Sequence, residues 1–76
     1  MNINDFIEKF KLELDSDDVE VNPETEFVNA EFWDSLTNMA VTSMIGDSYD
    51  LHLDFDELNN FSTIQELFDF VSSKQL

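Results

Sequence analysis

The sequence contains no cysteine, no arginine, one glycine and one proline. Without cysteine, neither a disulfide nor a thiolate metal site can stabilise the fold, which must rest on packing alone. No apolar run approaches the roughly 20 residues that a membrane-spanning helix needs. The chain begins MNINDFIEKF, which is polar and acidic, unlike a signal peptide. We therefore expect a cytoplasmic protein that forms a single domain over residues 1–76.

Positive charge is also scarce. Three lysines stand against 18 acidic residues, which gives a formal net charge of -15. Nucleic acid is excluded as a partner because its phosphates would meet a surface of like charge, and anionic membranes are disfavoured for the same reason. Basic protein surfaces are the complementary partners, and electrostatic steering would speed their association. The alternative is that the acidic residues serve solubility alone.

The spacing of apolar residues predicts an all-α fold, a small four-helix bundle with three main helices, one short helix and a long first loop. The first helix covers residues 3–14 and the second covers residues 35–48. A short helix begins at Asp54, where the spacing fits a capping box, and the last helix begins at Ser62 or Thr63. No segment shows the paired alternating pattern that a sheet requires.

The long loop and the second helix supply much of the predicted core. We expect Asn2 or Asn4 to cap the first helix, and Asn22-Pro23 cannot continue a helix within the loop. The apolar loop residues predicted to pin the loop onto the core are Val19, Val21, Phe27, Val28, Phe32 and Trp33. The predicted buried face of the second helix consists of Leu36, Met39, Ala40, Met44 and Ile45, with Val41 at its edge. Later core candidates are Leu53, Ile64 and Phe68.

Asp34-Ser35-Leu36 opens the second helix directly after the long loop. A serine at a helix start usually accepts a backbone N–H bond as a cap, and this is the plain structural interpretation of Ser35. A phosphodiester on the Ser35 hydroxyl would also be well placed, because the positive end of a helix and its unpaired N–H groups favour an anion. At the edge of a loop, this hydroxyl would be within reach of a modifying enzyme.

Together with the length, the acidity and the later apolar spacing, this tripeptide resembles the attachment motif of acyl carrier proteins. The resemblance covers nearly the whole chain, and Phe32-Trp33-Asp34-Ser35-Leu36 is more similar to specialised stand-alone carriers than to the housekeeping fatty-acid carrier. It implies an acyl-carrier-like bundle that is not itself an enzyme. Ser35 would receive phosphopantetheine from coenzyme A and hold acyl or aminoacyl groups as thioesters, in fatty-acid, polyketide-like or specialised biosynthesis.

The resemblance also implies partners. A phosphopantetheinyl transferase would attach the arm, and Asp34 would help to hold the Mg²⁺ or a basic group of that transferase. Leu36, if it is exposed rather than part of the core, would touch partner enzymes. The later partners would be an acyl-loading ligase or acyltransferase and ketosynthase-type enzymes. A cavity between the second and last helices would shelter an acyl chain. We expect the carrier to act as a monomer.

The second helix departs from the family in its charge. Family members carry acidic residues along its exposed face, whereas that face is predicted here to hold uncharged residues such as Thr37, Asn38 and Thr42. Acidic residues instead flank the helix, so we expect a partner to place basic groups at its two ends and a neutral surface at its centre. The residues predicted to bind partners are Leu36, Thr37, Asp47, Asp50, Asp54 and Asp56.

Other classes of function fit the sequence less well. Ser35 lacks the Gly-x-Ser-x-Gly elbow of a hydrolase, and His52 is a single histidine with no evident orienting partner. Asp15-x-Asp17 and Asp54-x-Asp56 lack the glycine and glutamate of a calcium loop, so no metal site is predicted. The alternative outside the carrier class is an acidic helical interaction domain that is not modified, such as an adaptor or a mimic of nucleic acid.

Overall fold

The computed structural model describes residues 2–14 and 19–75. The elements follow in the order α1 (Ile3–Leu12), a 3₁₀ helix (Phe27–Asn29), α2 (Ser35–Tyr49), α3 (Phe55–Asn59) and α4 (Ile64–Ser73). The described residues contain no strand, so the predicted all-α architecture of three longer helices and one short helix is confirmed. The acidic run at residues 15–18 lies outside the described residues. In the described part, no helix is long and apolar enough to cross a membrane.

Side-chain caps determine where the helices begin. Asn2 caps α1 by accepting a bond from the backbone N–H two residues later at 2.7 Å. Asp54 and Glu57 form the predicted capping box of α3, with N–O distances of 2.8 and 3.2 Å. At α4 the cap is Thr63 rather than Ser62. The predicted helix starts are therefore confirmed, because each side chain satisfies a backbone donor that the helix leaves unpaired.

Aromatic residues hold the long loop between α1 and α2 against the helices. The ring of Phe10 in α1 stacks on that of Trp33, with centroids 6.2 Å apart. Phe27 is fully buried and meets both rings nearly edge-on, at 5.6 and 4.9 Å. The other predicted loop contacts, which are also confirmed, are Val19, Val21, Val28 and Phe32. The remaining buried hydrophobic residues are Phe6, Leu14, Val41, Met44, Ile45, Leu53, Leu58, Ile64, Leu67 and Val71.

The loop also supports the start of α4 through its backbone. The N–H of Ile64 donates to the carbonyl of Thr25 at 3.1 Å, and the N–H of Gln65 donates to the carbonyl of Pro23 at 2.9 Å. These two N–H groups belong to the first turn of α4, where a helix offers them no partner of its own. The loop is therefore part of the folded bundle as well as a connection between helices.

The predicted buried face of α2 is partly wrong. Leu36 and Met39 are 74% and 60% exposed, whereas Val41, expected at the edge, is fully buried. Thr37 and Asn38, which were predicted on the exposed face, are also buried. The inner face of α2 is thus rotated toward residues 37, 38, 41, 44 and 45, and two polar side chains can lie there because each finds hydrogen-bond partners.

The C-terminal end of α2 lies beyond Gly46. The helix continues to Tyr49 and ends at Asp50, whose backbone is left-handed with a φ of 53°. The N–H of Asp50 donates to the carbonyl of Gly46 at 3.1 Å. Gly46 therefore does not end the helix, although glycine is common at helix ends. It lies instead at a close approach of two segments, since a Cβ at Gly46 would lie 3.5 Å from the ring of His52.

Candidate functional site

Ser35 is the first residue of α2, and its side chain is exposed. The cap of this helix is Asp34, whose carboxylate accepts the N–H of Thr37 at 2.8 Å and whose carbonyl accepts the N–H of Asn38 at 2.9 Å. The interpretation of Ser35 as the helix cap is therefore wrong. Because its neighbour performs the capping, the Ser35 hydroxyl can be modified without removing the cap of α2.

Asp34 is ionised at neutral pH. The backbone N–H of Thr37 is the main cause that lowers the pKa of Asp34 below its ordinary value of 3.8. Slight desolvation acts in the opposite direction, and the backbone N–H of Leu36 lowers the pKa further. A fixed negative charge thus lies beside Ser35, where it suits the positive end of α2 and could meet a cation of a modifying enzyme.

A phosphopantetheine group fits the residues at this end of α2. An exposed hydroxyl stands on the first turn of a 15-residue helix, so a phosphodiester on it would lie near backbone N–H groups and the positive end of the helix dipole. The nearest are those of Ser35 and Leu36, since the next two N–H groups bond to Asp34. Once attached, the group would supply a thiol, which is the chemistry needed to form a thioester.

A partly buried amide network joins residues on both sides of Ser35 to α3. The indole N–H of Trp33 donates to Oδ1 of Asn59 at 2.8 Å, and Nδ2 of Asn38 donates to the same oxygen at 3.1 Å. Nδ2 of Asn38 also donates to the carbonyl of Phe55 at 3.2 Å, and the hydroxyl of Thr37 donates to the carbonyl of Phe32 at 3.0 Å. The network therefore fixes the residues before Ser35 against both α2 and α3.

Sequence reasoning did not find this network. The available signal was Asn38, a polar residue three positions after Ser35 and within the apolar spacing of α2. Its partner Asn59 is 21 residues away, so no local pattern could pair the two amides. Oδ1 of Asn38 is buried and has no hydrogen-bond partner among the described residues. The amide is thus only partly satisfied, which matters for stability because buried acceptors are costly to leave unpaired.

Besides the carboxylate of Asp34, the exposed surface next to Ser35 includes two apolar side chains, and further acidic residues lie later along the chain. Leu36 and Met39 are three positions apart in α2, so their exposed side chains share one side of the helix. The predicted partner residues Asp47, Asp50, Asp54 and Asp56 are all exposed. The prediction for Thr37 is wrong, because its side chain is only 5% exposed and its hydroxyl bonds to the loop backbone. The neutral centre of α2 is thus formed by other residues.

A groove of about 340 Å³ lies at the C-terminal end of α2 and is open to solvent. We call it the α2-end groove, and its lining residues are Thr42, Ser43, Gly46, Asp47, His52 and Leu53. It lies between α2 and the segment that follows, a different place from the acyl cavity expected between α2 and α4, which stays a prediction. Within the described residues, no cluster of acidic or histidine side chains could hold a metal ion. Asp15 and Asp17 lie outside those residues.

The comparison with protein families identifies the class of protein. A family model described as the phosphopantetheine attachment site matches residues 4–71. The match covers most of the chain, so this protein belongs to the family of phosphopantetheine-binding carriers, as the resemblance had implied. Its role is that of a carrier with a covalent phosphopantetheine group. Neither the curated proteins nor the solved structures provide a match.

Proposed function

We propose that the chain is an acyl carrier protein in which Ser35 bears the phosphopantetheine arm. The observation that carries this assignment is an exposed serine hydroxyl at the start of α2, within the matched family region, beside a carboxylate that already caps the helix. The arm would hold acyl or aminoacyl intermediates as thioesters and pass them between enzymes of a fatty-acid, polyketide-like or specialised biosynthetic pathway. The carrier would perform no catalysis of its own.

Attachment is a phosphoryl transfer to Ser35. The Ser35 hydroxyl oxygen forms a bond to the phosphorus of coenzyme A that bears the pantetheine unit. The bond from that phosphorus to the bridging pyrophosphate oxygen breaks, 3′,5′-adenosine bisphosphate leaves, and the hydroxyl proton passes to a base of the transferase or to water. Asp34 lies next to this oxygen along the chain and is ionised, so it is placed to meet Mg²⁺ or a basic group that the transferase supplies.

Partner enzymes would approach the exposed side of α2. Leu36 and Met39 offer an apolar contact next to Ser35, and the exposed acidic residues after α2 offer charge for steering. A carrier must bind several enzymes in turn and release each of them. Weak contacts with fast association suit this task, because charge steering speeds the approach and a short-lived complex releases the carrier quickly.

The attachment is tested with coenzyme A, Mg²⁺ and a phosphopantetheinyl transferase of broad specificity. Wild-type protein should gain the mass of one arm, Ser35→Ala should gain none, and Ser43→Ala should behave as wild type, since Ser43 is also an exposed serine of α2. The Ser35→Ala variant should keep its helical circular dichroism because Asp34 remains as the cap. A wild-type chain that several such transferases leave unmodified would favour the unmodified acidic interaction domain.

The docking surface is tested with a matched pair of leucines. Leu36 and Leu12 are 74% and 80% exposed, so replacing either with alanine should leave the melting temperature nearly unchanged. Only Leu36→Ala should raise the KM of the transferase and of the loading enzyme, because only Leu36 adjoins the attachment position. Equal kinetic effects of the two substitutions would contradict docking at α2.

A further inference from the structure

The α2-end groove lies in line with Ser35 along α2. An α-helix turns by 100° per residue, so residues seven and eleven positions apart point in nearly the same direction. Thr42 and Gly46 occupy those positions relative to Ser35, and both line the groove. At a rise of 1.5 Å per residue they lie about 10–17 Å from Ser35 along the helix axis.

A phosphopantetheine arm on Ser35 would be long enough to reach this groove. Three bonds of an extended chain span about 3.3–3.6 Å, so the roughly fourteen bonds from the serine oxygen to the thiol sulfur span about 15–17 Å. The thiol end, and a cargo attached to it, would therefore reach the groove when the arm follows the surface of α2. The side chains between the two points, Met39 and Thr42, are partly or largely exposed.

The lining of the groove exposes polar and apolar surface in similar amounts and includes one acidic residue. The hydroxyl of Thr42 donates to the carbonyl of Met39 at 2.9 Å, so its oxygen can still accept a bond from a ligand. Asp47 adds an exposed carboxylate, and Ser43 and His52 add further polar groups. The single apolar residue of the lining, Leu53, is buried. In a chain with a net charge of -15, the carboxylate at this groove favours a short ligand group that carries a positive charge.

Gly46 keeps the groove open. It lies in the last turn of α2 with a helical backbone, where glycine is unfavourable compared with alanine. A Cβ at this position would fill part of the space between α2 and His52, since it would lie 3.5 Å from Nδ1 of the imidazole and 4.0 Å from the carbonyl of Leu51. The absence of a side chain here therefore leaves room beside the imidazole that a ligand can occupy.

We propose that the α2-end groove binds the cargo end of the arm when the cargo is a short aminoacyl group, with Asp47 contacting its protonated amine. This proposal rests on the proposed function, because it requires the arm on Ser35. It assigns a cargo class, short acyl groups that carry an ammonium, and it gives the groove a role in holding that cargo against the carrier. Acyl groups without a charge would bind there more weakly, since they cannot pair with the carboxylate.

The test compares two cargoes of equal shape. A transferase loads apo-protein with coenzyme A analogues whose arm ends in a β-alanyl or a butyryl group, joined through an amide so that neither is hydrolysed. The groups differ only by an ammonium in place of a methyl. Intact mass shows whether each arm is attached, and failure at this step contradicts the proposed function separately from the groove. The second readout is the backbone amide shifts of Thr42, Gly46 and His52 by nuclear magnetic resonance.

The β-alanyl arm should shift these amides more than the butyryl arm does. Asp47→Asn should reduce the groove-bound population by about 1.5- to 5-fold, as expected for one exposed ion pair. Asp50→Asn is the matched control, because it removes the same charge from a residue outside the lining, and asparagine tolerates its left-handed backbone. Equal shifts with both cargoes, no shifts with either attached arm, or equal effects of the two substitutions would overturn the proposal.

Discussion

The amide network between α2 and α3 predicts that its two asparagines, Asn59 and Asn38, differ sharply in their importance for stability. Asn59→Ala removes the oxygen that accepts from both Trp33 and Asn38, so two partly buried donors lose a partner. A buried donor left unsatisfied costs about 1–3 kcal/mol, so two such donors would cost about 2–6 kcal/mol. Because Trp33 keeps some access to water, we expect Asn59→Ala to lower the free energy of unfolding by about 2–4 kcal/mol. Asn38→Leu instead removes two donors together with an acceptor that has no partner in the described part of the chain.

Asn38→Leu should therefore be nearly neutral. The carbonyl of Phe55 loses its bond from Nδ2 of Asn38, but the change also removes the buried, unpaired Oδ1, and these two effects oppose each other. Asn59 retains its bond from Trp33 in this variant. We expect a change within about 1 kcal/mol in the free energy of unfolding, against a total of about 4–11 kcal/mol for a chain of this size.

The assay is thermal and urea unfolding followed by circular dichroism. At about 4–8 °C per kcal/mol, Asn59→Ala should lower the melting temperature by about 10–30 °C and Asn38→Leu by less than about 8 °C. Asn60→Ala serves as the control, because Asn60 is exposed and ends α3 with a right-handed helical backbone that alanine adopts readily. The reasoning is refuted if Asn59→Ala behaves like Asn60→Ala, or if Asn38→Leu is as destabilising as Asn59→Ala.

Three further predictions concern α2 and the charge of the chain. Gly46→Ala should stabilise the protein by about 0.5–1 kcal/mol, seen as a higher melting temperature, because the added Cβ lies at ordinary contact distance from His52; a lower melting temperature would show that the groove does not accommodate it. Asp34→Asn keeps a capping side chain but removes the charge. Because the pKa of Asp34 is lowered in the folded state, its charge stabilises the fold fully above pH 3.8. The difference in melting temperature between wild type and Asp34→Asn should therefore vanish as the pH falls through the folded pKa. A difference independent of pH would contradict this. Because the net charge is -15, repulsion between acidic residues should destabilise the fold, and the melting temperature should rise with NaCl and rise further with millimolar Mg²⁺. A melting temperature insensitive to both would show that this repulsion is too weak to matter.

The number of helices and most of their starts could be predicted because the signals are local. A cap such as Thr63 or the Asp54–Glu57 pair acts within four residues of itself, so its effect can be read from adjacent positions. The burial of the loop aromatics could also be predicted, because their large apolar side chains are stabilised by packing against the core. Phe27 and Trp33 are found where that reasoning placed them.

The orientation of α2 could not be predicted, because its apolar residues are spread around the helix. Leu36, Met39, Val41 and Met44 do not form one stripe, so their spacing leaves the inner face undecided. Polar contacts decide the orientation of α2. Asn38 faces inward because its amide donates to Asn59 and to the carbonyl of Phe55. Both partners lie too far along the chain from Asn38 for a local pattern to include them. The α2-end groove was missed for the same reason, since it depends on how the segment after α2 folds back over Gly46.

The central claim is that Ser35 carries the phosphopantetheine arm, and its most direct test is mass spectrometry of the protein purified from its native cells. Proteolysis followed by fragmentation should give a peptide containing Ser35 with the added mass of one arm, and the arm should be ejected on collision. Peptides that contain Ser43 or Ser48 but lack Ser35 should be unmodified. A Ser35 peptide found only without the arm, in cells that modify other carriers, would contradict the account, as would an arm on a different residue.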